Sequence, residues 1–169
     1  NIRFTRQILS SIVLLIVHKQ TRIFPSLLAA NSMQLAEEIN AVLKAGADGI
    51  HLDIMDNHYV PNLSFGPAIA ADIRKQFPKL ILDVHLMISP VDEMIQPFIQ
   101  AGANRISIHP DATKNPDKTL QKIHDLGCKA GLVLNPDTPF DVLSDDINQL
   151  DFVLIMAVNP GFGQQAFMP

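Results

Sequence analysis

The sequence of 169 residues contains a single cysteine and no apolar run long enough to cross a bilayer. One cysteine cannot form an internal disulfide, and this usage is typical of reducing compartments, so we expect a cytoplasmic location. Cys128 precedes an apolar run and is expected to be a small packing residue. The apolar segment at residues 8–17 falls short of the ~20 residues that a transmembrane helix needs. It is not expected to be a signal peptide, because cleavage at the nearby small residues 28–30 would remove a predicted strand.

Charge of either sign is also modest. The sequence has 13 Lys and Arg against 17 Asp and Glu, a net charge of −4, and is 47% hydrophobic. This balance gives no basic surface for nucleic acid or an anionic membrane, and we expect neither as a partner. The length suits one domain with a sizeable core.

Apolar, β-branched runs alternate along the chain with segments of helical periodicity. The predicted strands lie at residues 23–29, 49–55, 80–87, 105–109, 130–134 and 152–158. Helices are predicted at 32–44, from Pro67, from Pro90 to Gly102 and at 117–126. A short internal repeat, AGADGIH at 45–51 and AGANRIS at 101–107, joins a helix end to a strand start both times.

Repeated βα units of this kind require a parallel sheet with right-handed crossovers. Such a sheet either closes into a barrel or stays open and doubly wound. The absence of G-x-G-x-x-G after the first strand counts against a dinucleotide-binding fold. We therefore predict an α/β protein with a (β/α)8 TIM-barrel fold, with about six of the eight βα units present, since a whole barrel takes ~250 residues.

Two neighbouring predicted strands each carry a histidine and an aspartate at i, i+2 spacing: His51 with Asp53, and Asp83 with His85. Side chains two apart on a strand face the same side, here the barrel axis, near the strand ends where barrel enzymes place their active sites. Because an unpaired charge is costly to bury, four such groups converging on one face indicate that they bind something. Imidazole and carboxylate ligands suit zinc, iron or manganese. The sequence thus predicts a metal or acid–base site.

Other residues at the same end of the predicted barrel leave alternatives open. Met55, Met87 and Met156 lie at or near strand ends, where methionine either fills core gaps or forms an apolar collar over a reacting centre. The glycine-rich residues 158–164 could cradle a phosphate. Further candidates for this face are His58, Tyr59, His109 and Asp111, whereas His18 and His124 are expected at solvent or in linkers.

Together these segments resemble the ribulose-phosphate 3-epimerase family from about residue 23 to 169. The matching motifs are PSLLAA (25–30), HLDIMDNHYVPN (51–62), DVHLM (83–87), HP (109–110), GCKAGLV (127–133) and VNPGFG (158–163). The resemblance implies an isomerase, an epimerase that interconverts D-ribulose 5-phosphate and D-xylulose 5-phosphate in the pentose phosphate pathway.

The resemblance also implies roles for individual residues. His51, Asp53 and His85 would bind one divalent metal ion (Zn, Fe, Mn or Co), and Asp53 would also be a general acid/base. The implied partners are a sugar phosphate and, in a homo-oligomer, further copies of the chain. The implied substrate contacts are Ser26, His85, Gly161, Phe162, Gly163 and Gln164, and the implied cap over the metal is Met55, Met87 and Met156.

The sequence departs from the family pattern in several places. The resemblance implies a second acid/base aspartate, also the fourth metal ligand, in a D-G-G segment at the end of strand seven. No such segment occurs in residues 1–169, nor do the main phosphate-binding loops, which follow strands seven and eight. Gln164 replaces a glycine, and residues 1–20 have no counterpart. We therefore expect an unplaced leader at 1–20 and a C-terminally truncated, partial TIM-barrel epimerase domain at 21–169, with little or no epimerase activity.

Two other hypotheses remain at this point. One is a catalytically inactive partial barrel that binds a metal or a partner. The other is a different phosphate-handling barrel, such as an aldolase or decarboxylase. A Schiff-base aldolase is disfavoured because the lysines, Lys129 among them, are predicted on helices or connections rather than at strand ends.

Overall fold

The computed structural model describes residues 21–143 and 149–168. Five strands are β1 (Gly49–Met55), β2 (Ile81–Met87), β3 (Arg105–Ile108), β4 (Lys129–Leu134) and β5 (Phe152–Ile155). The α-helices are α1 (Leu35–Lys44), α2 (Pro67–Gln76), α3 (Asp92–Gln100) and α4 (Pro116–Asp125). Short 3₁₀ helices lie at Leu27–Ala29, Ser32–Gln34, Pro110–Ala112 and Phe140–Leu143. The predicted leader, with its apolar segment and His18, lies outside the described residues.

The strand order decides between the two sheet types that the sequence allowed. All neighbouring pairs are parallel, and the order is β1-β2-β3-β4-β5, the order of the chain itself. A doubly wound sheet reverses its strand order at a switch point, whereas a barrel adds each strand beside the last. The strand order is therefore that of a barrel, as predicted.

The first predicted strand, residues 23–29, is wrong. The segment runs beside β1, with the amide of His51 donating to the carbonyl of Pro25, but forms only one isolated bridge, between Ser26 and His51. Pro25 has no N–H to continue a ladder. The Ser26 hydroxyl then accepts from the amide of Leu28 and caps the 3₁₀ helix Leu27–Ala29. Local capping thus replaces the strand, and five of the six predicted strands are confirmed in the described part of the chain.

The predicted helix boundaries follow from local chemistry. α2 begins at Pro67 directly after Gly66, as predicted, because proline has no N–H to leave unsatisfied in the first turn. The internal repeat is confirmed, since Gly46 and Gly102 end their helices at φ 103° and 102°. Only glycine adopts this left-handed conformation without strain. In both copies of the repeat, a strand begins three residues after the turn glycine.

The core lies between the outer face of the sheet and the helices. Ile50, Leu52 and Leu82 are fully buried there, and Ile39 of α1 and Phe98 of α3 pack into the same cluster. Cys128 is buried at its edge, with its thiol 3.6 Å from the carbonyl of Ala103, which agrees with the predicted packing role. Within the described ranges, no helix combines the length and apolar character that crossing a bilayer requires.

Candidate active site

Residues at i, i+2 on β1 and β2 meet on the inner face of the sheet. Asp53 of β1 lies directly opposite His85 of β2 in the parallel register, and His51 lies opposite Asp83. One ligand atom from each of His51, Asp53 and His85 lies within 4.8 Å of the other two. Two imidazole nitrogens and one carboxylate oxygen could therefore hold a metal ion, with positions left for substrate or water.

Asp53 stands at the centre of this group. Its Oδ1 is 3.3 Å from Nε2 of His51 and 3.1 Å from Nδ1 of His85. Its Oδ2 accepts a 2.5 Å hydrogen bond from the hydroxyl of Ser26. Burial favours the neutral carboxyl, but the hydrogen bonds and charges of the two histidines outweigh it, and the pKa of Asp53 lies well below its ordinary value. The side chain is thus an oriented carboxylate.

His51 is supported from behind by a second carboxylate. Its Nδ1 is 2.9 Å from Oδ2 of Asp83, whose Oδ1 forms an ion pair of 2.9 Å with Nε of Arg105. Burial alone would lower the pKa of His51, but Asp53 and Asp83 together raise it to about 9. Asp83, expected to converge with the other three groups, instead lies on the far side of His51, where it orients the ring.

Arg105 pairs with Asp83 and lies against two aromatic rings, contacts that the sequence analysis did not predict. The guanidinium carbon lies 3.9 Å from the centroid of the Phe152 ring and 5.2 Å from that of Phe24. Stacking of this kind suits the weakly hydrated guanidinium. The sequence signal available was spacing, since Arg105 lies four residues before His109 on the predicted strand 105–109 and so faces the same side.

His85 is held by a third histidine. Its Nε2 lies 2.8 Å from Nε2 of His109, which follows β3 and is fully buried. Burial lowers the pKa of His85, and contact with Asp53 offsets this only in part. Burial and the neighbouring His85 lower the pKa of His109 to about 3. His109 was named from the sequence only as a candidate for this face, and its contact with His85 was not foreseen.

Tyr59 covers His109 from the loop after β1. The two rings are in contact, with centroids 4.4 Å apart and their planes tilted by 34°. The Tyr59 hydroxyl donates to Asp111 over 2.9 Å and accepts from the side-chain amide of Asn135 over 3.1 Å. The expectation that Tyr59, His109 and Asp111 share one face thus agrees with the structure, while the neighbouring His58 is largely exposed.

A cavity of about 300 Å³ opens beside Asp53. Ser26, Met55 and Met87 line it, and the two methionines pack together with Val60. Met156 lies elsewhere, on a second cavity with Leu134 and Asn135, so the structure does not bring the third cap methionine to the other two. The rest of the lining is Leu28, Ala29, Val158, Gly161, Phe162, Gly163 and Gln164.

The loop that contains residues 161–164 forms one wall of this cavity. The side-chain amide of Asn62 donates to the carbonyl of Gly161 over 2.7 Å and ties the loop to the one after β1. Gln164 has φ 60°, a conformation that glycine adopts far more readily. The backbone is thus left-handed at the position where the resemblance implies a glycine.

Two residues expected away from the site are found away from it. His124 forms a partly exposed pair of 2.8 Å with Asp151. Lys129, predicted on a connection, is instead the exposed first residue of β4. It therefore lies at the amino end of its strand, and none of the five described strands carries a lysine at its carboxyl end.

Comparison with known proteins now identifies the family. The sequence model of the ribulose-phosphate 3 epimerase family matches residues 22–169. The chain belongs to this family. It is 53% identical over 148 residues to ribulose-phosphate 3-epimerase 1 of Cupriavidus necator, which covers 88% of this chain and 61% of that protein. It is 49% identical over 151 residues to ribulose-phosphate 3-epimerase of Escherichia coli K12, covering 89% and 67%. The chain thus spans about three fifths of the length of the Cupriavidus relative.

Solved structures with little sequence similarity agree on the fold of this family member. The tryptophan synthase alpha chain from Legionella pneumophila superposes with a TM-score of 0.59 at 13% identity, covering 83% of this chain and 63% of that one. Phosphoribosyl anthranilate isomerase from Thermotoga maritima gives 0.57 at 13% identity, covering 85% and 66%. At such identities the likeness concerns the fold alone, which is the (β/α)8 barrel type.

Proposed function

We propose that this chain supplies the metal-binding face and one acid/base of a ribulose-phosphate 3-epimerase active site. The observation that carries the proposal is the convergence of His51, Asp53 and His85 beside the 300 Å³ cavity. The donor set fits Zn²⁺, Fe²⁺, Mn²⁺ or Co²⁺, since nitrogen and oxygen ligands suit all four. The proposed ligand atoms are Nε2 of His51, Oδ1 of Asp53 and Nδ1 of His85.

Asp53 is the proposed base for the proton at C3 of the sugar. That proton lies next to the C2 ketone, so its removal leaves an enediolate. Asp53 is ionised at neutral pH because its pKa is low, and it lines the cavity where the sugar would bind. Ser26 holds Oδ2 in place, so the carboxylate needs no reorientation before proton transfer. A divalent metal, when bound, supplies Lewis-acid stabilisation of the negative charge that develops on the C2 and C3 oxygens.

The remaining cavity walls have proposed roles in binding. Met55 and Met87 present apolar surface beside Asp53, which excludes water from the carboxylate. Ser26, His85 and the backbone of Gly161, Phe162, Gly163 and Gln164 are the proposed contacts to the sugar phosphate. Met156 as a third cap residue, a homo-oligomer and a cytoplasmic location remain predictions from the sequence.

Inversion at C3 needs proton transfer on both faces of the sugar. Asp53 is the single titratable side chain among the described residues that line the cavity. One carboxylate can remove a proton and return it on the same face, which exchanges the proton without inverting the carbon. This observation favours, as second candidate function, a metal-binding chain that does not epimerise.

The experiment follows deuterium incorporation at C3 of D-ribulose 5-phosphate and D-xylulose 5-phosphate in D₂O, with Mn²⁺ added to the chain. We expect exchange that depends on the metal and is abolished in Asp53→Asn. The Asn side chain keeps the shape and the contact with Ser26 but cannot accept the proton. Because Asp53 is also a proposed metal ligand, the exchange is compared at Mn²⁺ concentrations at which electron paramagnetic resonance shows the variant to be loaded.

Net conversion of one sugar phosphate into the other, measured in the same samples, separates the two candidate functions. Exchange with conversion supports epimerisation, and exchange alone supports transfer on one face. The matched control is Asp125→Asn, which changes an exposed carboxylate on α4, paired with Gln121, and is expected to leave exchange intact. Exchange that survives in Asp53→Asn would show that Asp53 is not the base.

A further inference from the structure

His85 is contacted by a polar atom at each of its ring nitrogens. Nδ1 lies 3.1 Å from Oδ1 of Asp53, and Nε2 lies 2.8 Å from Nε2 of His109. Two imidazole nitrogens at this separation share one proton, so one ring donates and the other accepts. The direction of this hydrogen bond determines which nitrogen of His85 has a free lone pair.

The proposed function determines that direction. A metal ligand must offer a lone pair, and the nitrogen of His85 beside Asp53 is Nδ1. If Nδ1 is unprotonated in the neutral ring, Nε2 carries the hydrogen and donates it to His109. His109 must then present an unprotonated Nε2.

The surroundings of His109 suit an acceptor with a fixed position. The ring is fully buried and contacts Tyr59, whose hydroxyl is itself held by Asp111 and Asn135. In this tautomer the hydrogen of His109 lies on Nδ1, which has no hydrogen-bond partner among the described residues, and no carboxylate there stabilises a charged ring. A neutral ring keeps one lone pair, and in this tautomer that lone pair is on Nε2, 2.8 Å from Nε2 of His85.

We propose that His109 is a positioning residue for the metal ligand His85, accepting a hydrogen bond from its Nε2–H and so holding the tautomer that presents Nδ1 to the ion. The proposal rests on the proposed function in one respect, that His85 is a ligand. Ligating histidines commonly donate their second N–H to a carboxylate, a backbone carbonyl or water. His51 follows that rule through Asp83, whereas His85 uses a neutral imidazole.

The direct test is a nuclear magnetic resonance measurement on the unmodified chain, labelled with ¹⁵N at histidine and loaded with one equivalent of Zn²⁺. We expect a coupling across the hydrogen bond between Nε2 of His85 and Nε2 of His109, with the proton attached to His85. A proton attached to His109 Nε2, or no coupling between the two nitrogens, would overturn the proposal.

Two variants test the consequence for metal binding. His109→Phe keeps an aromatic ring against Tyr59 but removes the acceptor, and we expect Zn²⁺ affinity to fall by about 10- to 100-fold. His109→Gln places an amide oxygen near the former Nε2 and should retain most of the affinity, with His85 still protonated at Nε2. Circular dichroism establishes that each variant is folded. Should His109→Phe not fold, His109→Gln and the wild-type coupling still decide the matter.

The outcomes separate this proposal from the proposed function. A chain that binds no Zn²⁺ would overturn the metal site and the positioning role together. A chain that binds Zn²⁺ but is unaffected by His109→Phe would overturn the positioning role alone and leave the metal site standing.

Discussion

The strands that carry the candidate site differ from the last described strand in how their outer faces are covered. On β1 and β2, outward residues such as Leu52 and Val84 are fully buried beneath helices. On β5, outward-facing Val153 and Ile155 are 36% and 63% exposed. All three strands present similar apolar residues to the outside. The difference therefore lies in their neighbours and not in their own composition.

The candidate site lies on the strands whose outer faces are covered. His51, Asp53 and His85 stand on strands locked from outside by packed apolar side chains, which restricts their motion. β5 reaches the site through an indirect contact, the ring of Phe152 against Arg105, which in turn pairs with Asp83. We therefore expect the site to depend strongly on the β1–β2 core and weakly on the outer face of β5.

The largest effect is expected from Leu52→Ala. The change leaves a cavity between β1 and the helices, and the free energy of unfolding should fall by about 3 kcal/mol. Urea denaturation followed by circular dichroism measures it.

Ile155→Ala is the matched control on β5. Because its side chain is largely exposed, we expect a loss of no more than ~0.5 kcal/mol. Equal losses for the two variants would remove the distinction between the two regions.

A smaller effect, on the pKa of His51, is expected from Asp83→Asn. This change removes the negative charge beside His51 and keeps the shape of the side chain at position 83. The pKa of His51 in the metal-free chain is about 9, against an ordinary value of 6.5. Since the folded value is raised, His51 contributes stability that is complete below pH 6.5 and is lost as the pH rises through 9. Loss of one carboxylate lowers the folded-state pKa, so the contribution is smaller and its decline, which still begins near pH 6.5, ends at a lower pH. Proton resonances of the His51 ring, recorded across this range with a chelator present, report the shift.

Asp111→Asn serves as control for this titration, because Asp111 contacts Tyr59 rather than His51. It should leave the titration of His51 in place. A wild-type pKa near 6.5, or one that is unchanged in Asp83→Asn, would contradict the account of this ion pair.

Much of the fold followed from local sequence signals. Pro67 was sufficient to locate a helix start, and the glycines of the repeat were sufficient to locate two helix ends. The backbone conformations that proline and glycine favour do not depend on tertiary contacts. The strand prediction at 23–29 was wrong because an apolar run indicates burial but not backbone conformation. Here Pro25 and the capping hydroxyl of Ser26 determine the conformation. The periodicity of apolar residues carries no information about a missing backbone N–H.

The sequence predicted which residues form the site but not which of them lie behind the proposed metal ligands. The i, i+2 spacing placed His51 with Asp53 and Asp83 with His85 on one face. It could not show that Asp83 lies behind His51, since that depends on the register between two strands. For the same reason, the contact between His85 and His109, 24 residues apart, was beyond reach.

The central claim is that His51, Asp53 and His85 bind one divalent metal ion. X-ray absorption at the zinc edge, on the chain with one equivalent of Zn²⁺, tests it most directly. The account predicts nitrogen and oxygen ligands at about 2.0–2.2 Å with the scattering of two imidazoles. It also predicts that this signal disappears in the His51→Ala/His85→Ala double variant. A sulfur ligand, or a spectrum that is unchanged in the double variant, would contradict the claim.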